Sequence, residues 1–182
     1  IMQERAEGVK GLLTGFVDID RRLQGLRGGD LFVLAGRPSM GKSALATQIQ
    51  LNVSNAGMTT AMFNLEMSAV SLIDRIVSLW SKTPMGNIRS KCTDDEWTRI
   101  TKATSAINAL PLFLDDTPAL SIQQIHSRSR MIQRKHGLGL VVIDYLQLAT
   151  CKSENRFQEV SEISRYSKRM AKDLDVPVIL LS

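Results

Sequence analysis

The eight residues from Gly36 to Ser43 read Gly-Arg-Pro-Ser-Met-Gly-Lys-Ser and fit the spacing Gly-x-x-x-x-Gly-Lys-Ser/Thr. Glycines at 36 and 41 let the backbone turn tightly and bring its N–H groups against phosphate oxygens. A helix that starts directly behind them adds a favourable field. Lys42 is long enough to reach β- and γ-phosphate oxygens as a point charge, and the Ser43 hydroxyl can complete a magnesium shell. Arg37, Pro38, Ser39 and Met40 form the rest of the loop that would wrap a nucleoside triphosphate. The flanks suit this use: an apolar run, Leu31 to Ala35, comes before the loop, and the helical spacing of Leu45, Ile49 and Val53 comes after it. The competing account, a glycine-rich turn with no ligand, leaves that arrangement unexplained.

Two carboxylates extend the pattern. The run Leu-Val-Val-Ile-Asp, Leu140 to Asp144, is how a buried parallel strand delivers an acid to its carboxyl edge, where Asp144 would hold magnesium, through water. Alone, Asp144 is equally an ordinary turn residue; the phosphate loop about one hundred residues upstream favours the metal role. Glu66 follows the strand Thr60 to Asn64, so it too is expected at the carboxyl edge, where it could deprotonate the water that attacks a γ-phosphate. An acid at the start of the next helix is an equally good account of Glu66, and the residues alone leave both open.

These groups need a parallel sheet to hold them, and the chain supplies one. Short aliphatic runs alternate with longer stretches of helical period, which predicts an α/β fold with a mainly parallel sheet flanked by helices. Strands are expected at Leu31 to Ala35, Thr60 to Asn64, Pro111 to Leu114, Leu140 to Asp144 and Val178 to Ser182. A helix follows the phosphate loop and stops at Gly57. Ser68 caps a helix with Val70, Ile73, Val77 and Trp80 on its inner face. Thr93 with Glu96 and Ser121 with Gln124 form capping-box patterns, the first ahead of Trp97, Ile100 and Ile107, the second ahead of Ile125 and Ile132, with Gly137 as its stop. A last helix is expected from about Val160 to Asp175, and every one of these apolar stripes is expected to be core.

Bulk properties narrow the classes. The 182 residues, 43% hydrophobic and 23% charged, suit one globular domain. No apolar stretch is long enough to span a bilayer, so a cytoplasmic protein is expected. Cys92 and Cys151 are far apart and share no ligand spacing with His126 or His136, which argues against structural zinc or a disulfide framework. The formal charge of +5 permits a polyanionic partner without demanding one.

The motifs in order, GRPSMGKS, FNLEM, VVIDYLQL and SEISRYSKRMAKDLDVPVILLS, resemble the series found in DnaB-type replicative DNA helicases, members of the RecA-like class of P-loop motors. The opening TGFVDIDRRLQGLRGGDLFVLAGRPSMGK and the segment LDDTPALSIQQI agree, so the likeness runs from Leu13 onward. It implies a RecA-like core over residues 12–182 with a linker remnant at 1–11. It also implies ATP and Mg2+ as ligands, Lys42 and Ser43 on phosphate and metal, Glu66 as catalytic base and Asp144 as the Walker B aspartate. A homo-hexameric ring moving 5′ to 3′ on single-stranded DNA is implied too, with primase and a helicase loader as partners of the intact parent.

The sequence departs from that family at its ends. The run VILLS is expected to continue into a γ-phosphate-sensing glutamine, a basic loop and an arginine finger, none of which precedes Ser182, and the N-terminal collar is likewise missing. A core truncated at the C-terminus is therefore expected to turn over poorly alone, because an arginine supplied by a neighbour is worth several powers of ten in rate. The segment ATCKSENRFQEV looks shorter than is usual. Lys152, Arg156, Arg165 and Lys168 lie where RecA-like motors place a DNA loop, although solvated faces and salt bridges explain them as well. Three other classes stay in view: another RecA-like ATPase of the recombinase or clock type, a small-molecule kinase, for which no lid segment is present, and a nucleotide-binding assembly module that does not hydrolyse.

Overall fold

The structure, a computed structural model, describes residues 11–37, 39–144 and 156–182. Five strands form one parallel sheet: β1 (Leu31–Leu34), β2 (Thr60–Asn64), β3 (Leu112–Asp115), β4 (Leu140–Asp144) and β5 (Val178–Leu181), in the order β1-β5-β4-β2-β3. All five expected strands are present, with ends that differ by no more than one residue.

The middle of the sheet shows why these runs became strands. In β4 Val141 and Ile143 pack into one core, while Leu140 and Val142 pack into another on the opposite face. A strand covered on both sides has no solvent face for polar residues, hence its unbroken aliphatic run. Neighbouring β2 and β5 alternate the same way, with Phe63 and Leu180 on the first face and Met62 and Ile179 on the second.

Helices α6 (Ile122–His136) and α7 (Arg156–Leu174) cover the first face through Ile125, Ile163, Met170 and Leu174. Helices α2 (Lys42–Asn55), α3 (Ala69–Ser81) and α5 (Asp94–Asn108) build the second. Both capping boxes form, at Thr93/Glu96 and at Ser121/Gln124, and Ser68 accepts the Ser71 N–H at the start of α3. Helix α2 ends in a Schellman turn, in which Gly57 and Met58 donate to Ser54 and Val53 around a left-handed Gly57.

Two of the expected stripes are only partly in the core: Val77, Trp80 and Ile107 pack as expected, whereas Val70, Ile73 and Trp97 do not. On α3, Val70 and Ile73 are exposed at 69% and 47%, and the buried residues are Leu72, Ile76 and Val77. The apolar face of this helix is broad, with Val70 at one edge and Leu72 toward the other, so spacing alone did not fix its centre, and packing against α2 and α5 centres it on Leu72 and Ile76. On α5, Trp97 is 64% exposed while Ala103 is buried, because α5 rests on α3 rather than on the sheet and needs a small residue at the contact.

Two short helices, α1 (Val17–Leu23) and α4 (Met85–Arg89), have no counterpart in the sequence pattern. No side chain caps either of them. Helix α1 is held instead by buried Asp20, which accepts from the Thr14 N–H, the Thr14 hydroxyl and the Gly15 N–H.

Candidate functional site

Strand β1 leaves the sheet at Leu34 and enters the phosphate-loop sequence. The loop is tied at once to the end of β5: Ser182 N–H donates to Leu34 C=O at 3.0 Å, and Gly36 N–H donates to Ser182 C=O at 3.2 Å. The tight turn falls at its far end, where Ser39 and Gly41 take φ of +64° and +86° and α2 begins. Gly41 therefore needs to be glycine for its backbone. Gly36 does not adopt that region, and a Cβ there would meet Lys42 at an ordinary 3.5 Å, so the expectation that both glycines serve the turn holds for Gly41 only. Arg37, Ser39 and Met40 are exposed around the loop, and Pro38 lies outside the described residues.

Lys42, the first residue of α2, folds back across this opening. Its ammonium donates to the carbonyls of Gly36 at 2.6 Å and Ser182 at 2.7 Å. One residue on, Ser43 lines the same cavity as Asp144, close enough for its hydroxyl to favour the ionised carboxylate. Asp144 is 2% exposed at the carboxyl end of β4, and its Oδ2 has no hydrogen-bond partner. Burial pushes its pKa up and the charge of Glu66 adds to that, while the Ser43 hydroxyl, Arg75 and Lys42 pull the other way. A buried carboxylate oxygen with no partner, beside a serine hydroxyl, is an oxygen-donor set that fits magnesium next to phosphate.

Strand β2 brings in the second acid. Asn64 is the register partner of Asp144, and Leu65 N–H donates to Asp144 C=O at 2.6 Å, so the chain leaves β2 locked to β4. Glu66 follows immediately and is exposed. One cavity of about 600 Å³ gathers Gly36, Ser39, Gly41, Lys42, Ser43, Glu66, Arg75, Asp144 and Ser182. The acid, the lysine and the hydroxyl that the sequence singled out thus face a common space.

Sequence reasoning missed Arg75, Asn64 and the Ser182 carbonyl. Arg75 is a half-buried residue of α3 on the cavity wall, and its position two turns past the Ser68 cap was the one available signal. Of the basic residues suggested for DNA, Arg165 and Lys168 do not line this cavity. Lys152 lies outside the described residues, and Arg156 opens α7. Arg165 is exposed on α7 beside Glu162, Tyr166 and Arg169. Lys168 instead anchors α7 to the start of β1, donating to Gly29 C=O at 2.8 Å and Asp30 Oδ1 at 2.9 Å. Among the described residues no cluster of three His, Cys, Asp or Glu side chains could hold a metal, and no helix is long and apolar enough to cross a membrane.

The profile of the DnaB-like helicase C-terminal domain matches residues 11–182. The chain belongs to that family. The replicative DNA helicase DnaB of Rickettsia prowazekii is 42% identical over 188 residues, a match covering 96% of this chain and 39% of the relative. That of Geobacillus stearothermophilus is 39% identical over 187 residues, covering 100% of this chain and 41% of the relative. The chain therefore spans about two fifths of the length of these curated relatives.

Solved structures agree on the DnaB-like fold. One solved ATPase domain superposes with a TM-score of 0.91 at 33% identity, over 97% of this chain and 65% of that one. A DnaB-like replicative helicase, solved in a study of its interactions with primase, superposes with a TM-score of 0.92 at 30% identity, over 100% of this chain and 45% of that one. The parallel sheet with helices on both faces is the RecA-like fold that the motifs implied.

Proposed function

We propose that this chain is the ATP-hydrolysing motor domain of a replicative DNA helicase, with residues 12–182 as the motor core and residues 1–11 as the end of a linker. The observation that supports it best is the shared cavity: Lys42, Ser43, Glu66 and Asp144 come from three separate segments and line one space at the carboxyl edge of the sheet.

In this reading the backbone from Gly36 to Gly41 cradles the phosphates of ATP, and Lys42 moves from its carbonyl partners onto the β- and γ-phosphate oxygens. Ser43 and Asp144 would hold a magnesium ion, which when bound neutralises charge on those oxygens. Glu66 takes a proton from the attacking water as the water oxygen bonds to the γ-phosphorus and the bond to the β–γ bridging oxygen breaks, leaving ADP. The intact protein forms a homo-hexamer, translocates 5′ to 3′ on single-stranded DNA, and meets primase and a loader. Family membership and the primase study of the related helicase support these partners.

The test uses the full-length protein and Glu66→Gln. Loss of most ATP turnover, with strand displacement lost on 5′-tailed forks, is expected. Turnover equal to the parent's would sink the motor reading and leave an assembly module that binds nucleotide. Displacement by the parent on 3′-tailed forks alone would overturn the polarity.

A further inference from the structure

Asn64 has three features that the reading above does not use. Its side chain is 1% exposed, its Oδ1 accepts the N–H of Glu66 at 3.1 Å and of Met67 at 2.9 Å, and its Nδ2 has no hydrogen-bond partner. Resting on the role proposed for Glu66, we propose that Asn64 is a positioning residue for hydrolysis: its amide oxygen fixes the backbone of Glu66 at a set distance from Asp144.

The surrounding bonds isolate this role. Before Glu66, Leu65 N–H is taken by the Asp144 carbonyl. After Met67, helix α3 has its own acceptors, since Ser68 takes the Ser71 N–H and Asp116 Oδ2 takes the Ala69 N–H at 2.7 Å. Asn64 is thus not the cap of α3. It is the acceptor for the two N–H groups between a strand end pinned to β4 and a helix that starts independently. The register pair Asn64 and Asp144 then makes one rigid unit, with the acid of β4 and the turn carrying Glu66 on adjacent strands.

The choice of asparagine fits this role better than a purely structural one. A buried donor without a partner carries an uncompensated desolvation cost. Aspartate would accept the same two N–H groups without an unpaired donor, but it would set a second buried carboxylate directly beside Asp144, and like charges at that range oppose each other. Asparagine accepts both bonds and adds no charge next to the acid of β4.

The experiment uses the full-length protein with Asn64→Val, Asn64→Ser, Glu66→Gln and the double variant N64V/E66Q. Valine suits a strand and fills a similar volume without either polar atom. ATP turnover, binding of a fluorescent N-methylanthraniloyl ATP and amide exchange at residues 65–67 are measured together. N64V is expected to lower kcat roughly tenfold or more while probe affinity stays within about threefold, the split of a group that acts after binding. Exchange at Glu66 and Met67 speeds up, and exchange at Leu65 does not. N64S, whose hydroxyl can accept the same N–H groups, restores kcat to within about threefold of the parent. In the E66Q background N64V adds little, because residues acting through one another are not additive.

Turnover of N64V within about threefold of the parent, beside an inactive E66Q, overturns the proposal and leaves the motor reading standing. Losses of N64V and E66Q that simply add, or probe binding that falls as far as kcat, also overturn it. An E66Q protein as active as the parent overturns both together.

Discussion

Lys42 and Ser182 are 140 residues apart in the chain, and the ammonium of the first donates to the carbonyl of the second at 2.7 Å. With the Gly36 carbonyl at 2.6 Å, the cation rests on neutral oxygens at the mouth of the cavity. Phosphate oxygens carry full charge and form hydrogen bonds about twice as strong, so nucleotide is expected to draw Lys42 away from both. Lys42→Ala is expected to weaken binding of the fluorescent ATP roughly a hundredfold, close to 2.7 kcal/mol. The nucleotide-free domain should lose about 1 kcal/mol or less, because this lysine is half exposed. Fluorescence titration and urea unfolding check the two halves, and a loss of stability that matches the loss of binding would count against the idea.

The raised pKa of Asp144 has a consequence for stability. Unfolded, this carboxyl releases its proton near the ordinary value of about 3.9, whereas in the fold burial makes it hold the proton to higher pH. Between those values the folded state binds more protons than the unfolded one, so nucleotide-free stability falls as pH rises through that window and then levels off. Asp144→Asn removes the ionisation, and is expected to flatten the decline and exceed the parent in stability above it. Urea unfolding of both proteins from pH 4 upward decides, and equal slopes would refute the assignment.

Arg75 lines the cavity from α3 and opposes the rise in the Asp144 pKa. If it faces the bound phosphates, Arg75→Gln should raise the Kd for ATP roughly tenfold, about one charge-assisted hydrogen bond, with a smaller effect on ADP. Calorimetric titration with each nucleotide measures this. Equal losses for both would place Arg75 away from the γ-phosphate.

The centring of the apolar face of α3 gives a stability test. Leu72→Ala empties a fully buried position and is expected to cost about 2–5 kcal/mol. Val70→Ser alters an exposed side chain and is expected to stay within about 0.5 kcal/mol. Urea midpoints of both variants check the register, and a reversed order would show that α3 is packed by Val70 and Ile73 after all.

For DNA, Arg156 and Arg165 are the candidates to test, since Lys168 already serves the fold. Each contact to a single-strand phosphate contributes about 0.7 to the slope of log affinity against log salt. Arg156→Ala or Arg165→Ala in the full-length protein should reduce the slope by about that amount if the residue touches phosphate. An unchanged slope removes it.

Strand positions were legible because β2, β4 and β5 are buried on both faces, and such strands declare themselves as aliphatic runs between turn signals. The capped helices were legible because Ser68, Thr93 and Ser121 cap with their own side chains. Helix α1 was not, since the acid that holds it bonds to Thr14 and Gly15 outside the helix. The same limit applies at the cavity. Lys42, Ser43, Glu66 and Asp144 sit in recognisable strings, whereas the Ser182 carbonyl meets Gly36 and Lys42 only once β1 and β5 lie side by side, and Asn64 comes beside Asp144 only once β2 and β4 pair.

That side-by-side arrangement also bears on when the pocket appears during folding. Each parallel pairing joins segments distant in sequence: β1 pairs with β5 and β2 with β4. Such long-range closures are slow to form. The pocket is spread across the ends of β1, β2, β4 and β5, so no partly folded chain holds a complete one. Nucleotide bound at this pocket is therefore expected to recognise only the finished sheet. It should leave the early folding rate untouched and slow unfolding instead, trapping the product in proportion to its occupancy.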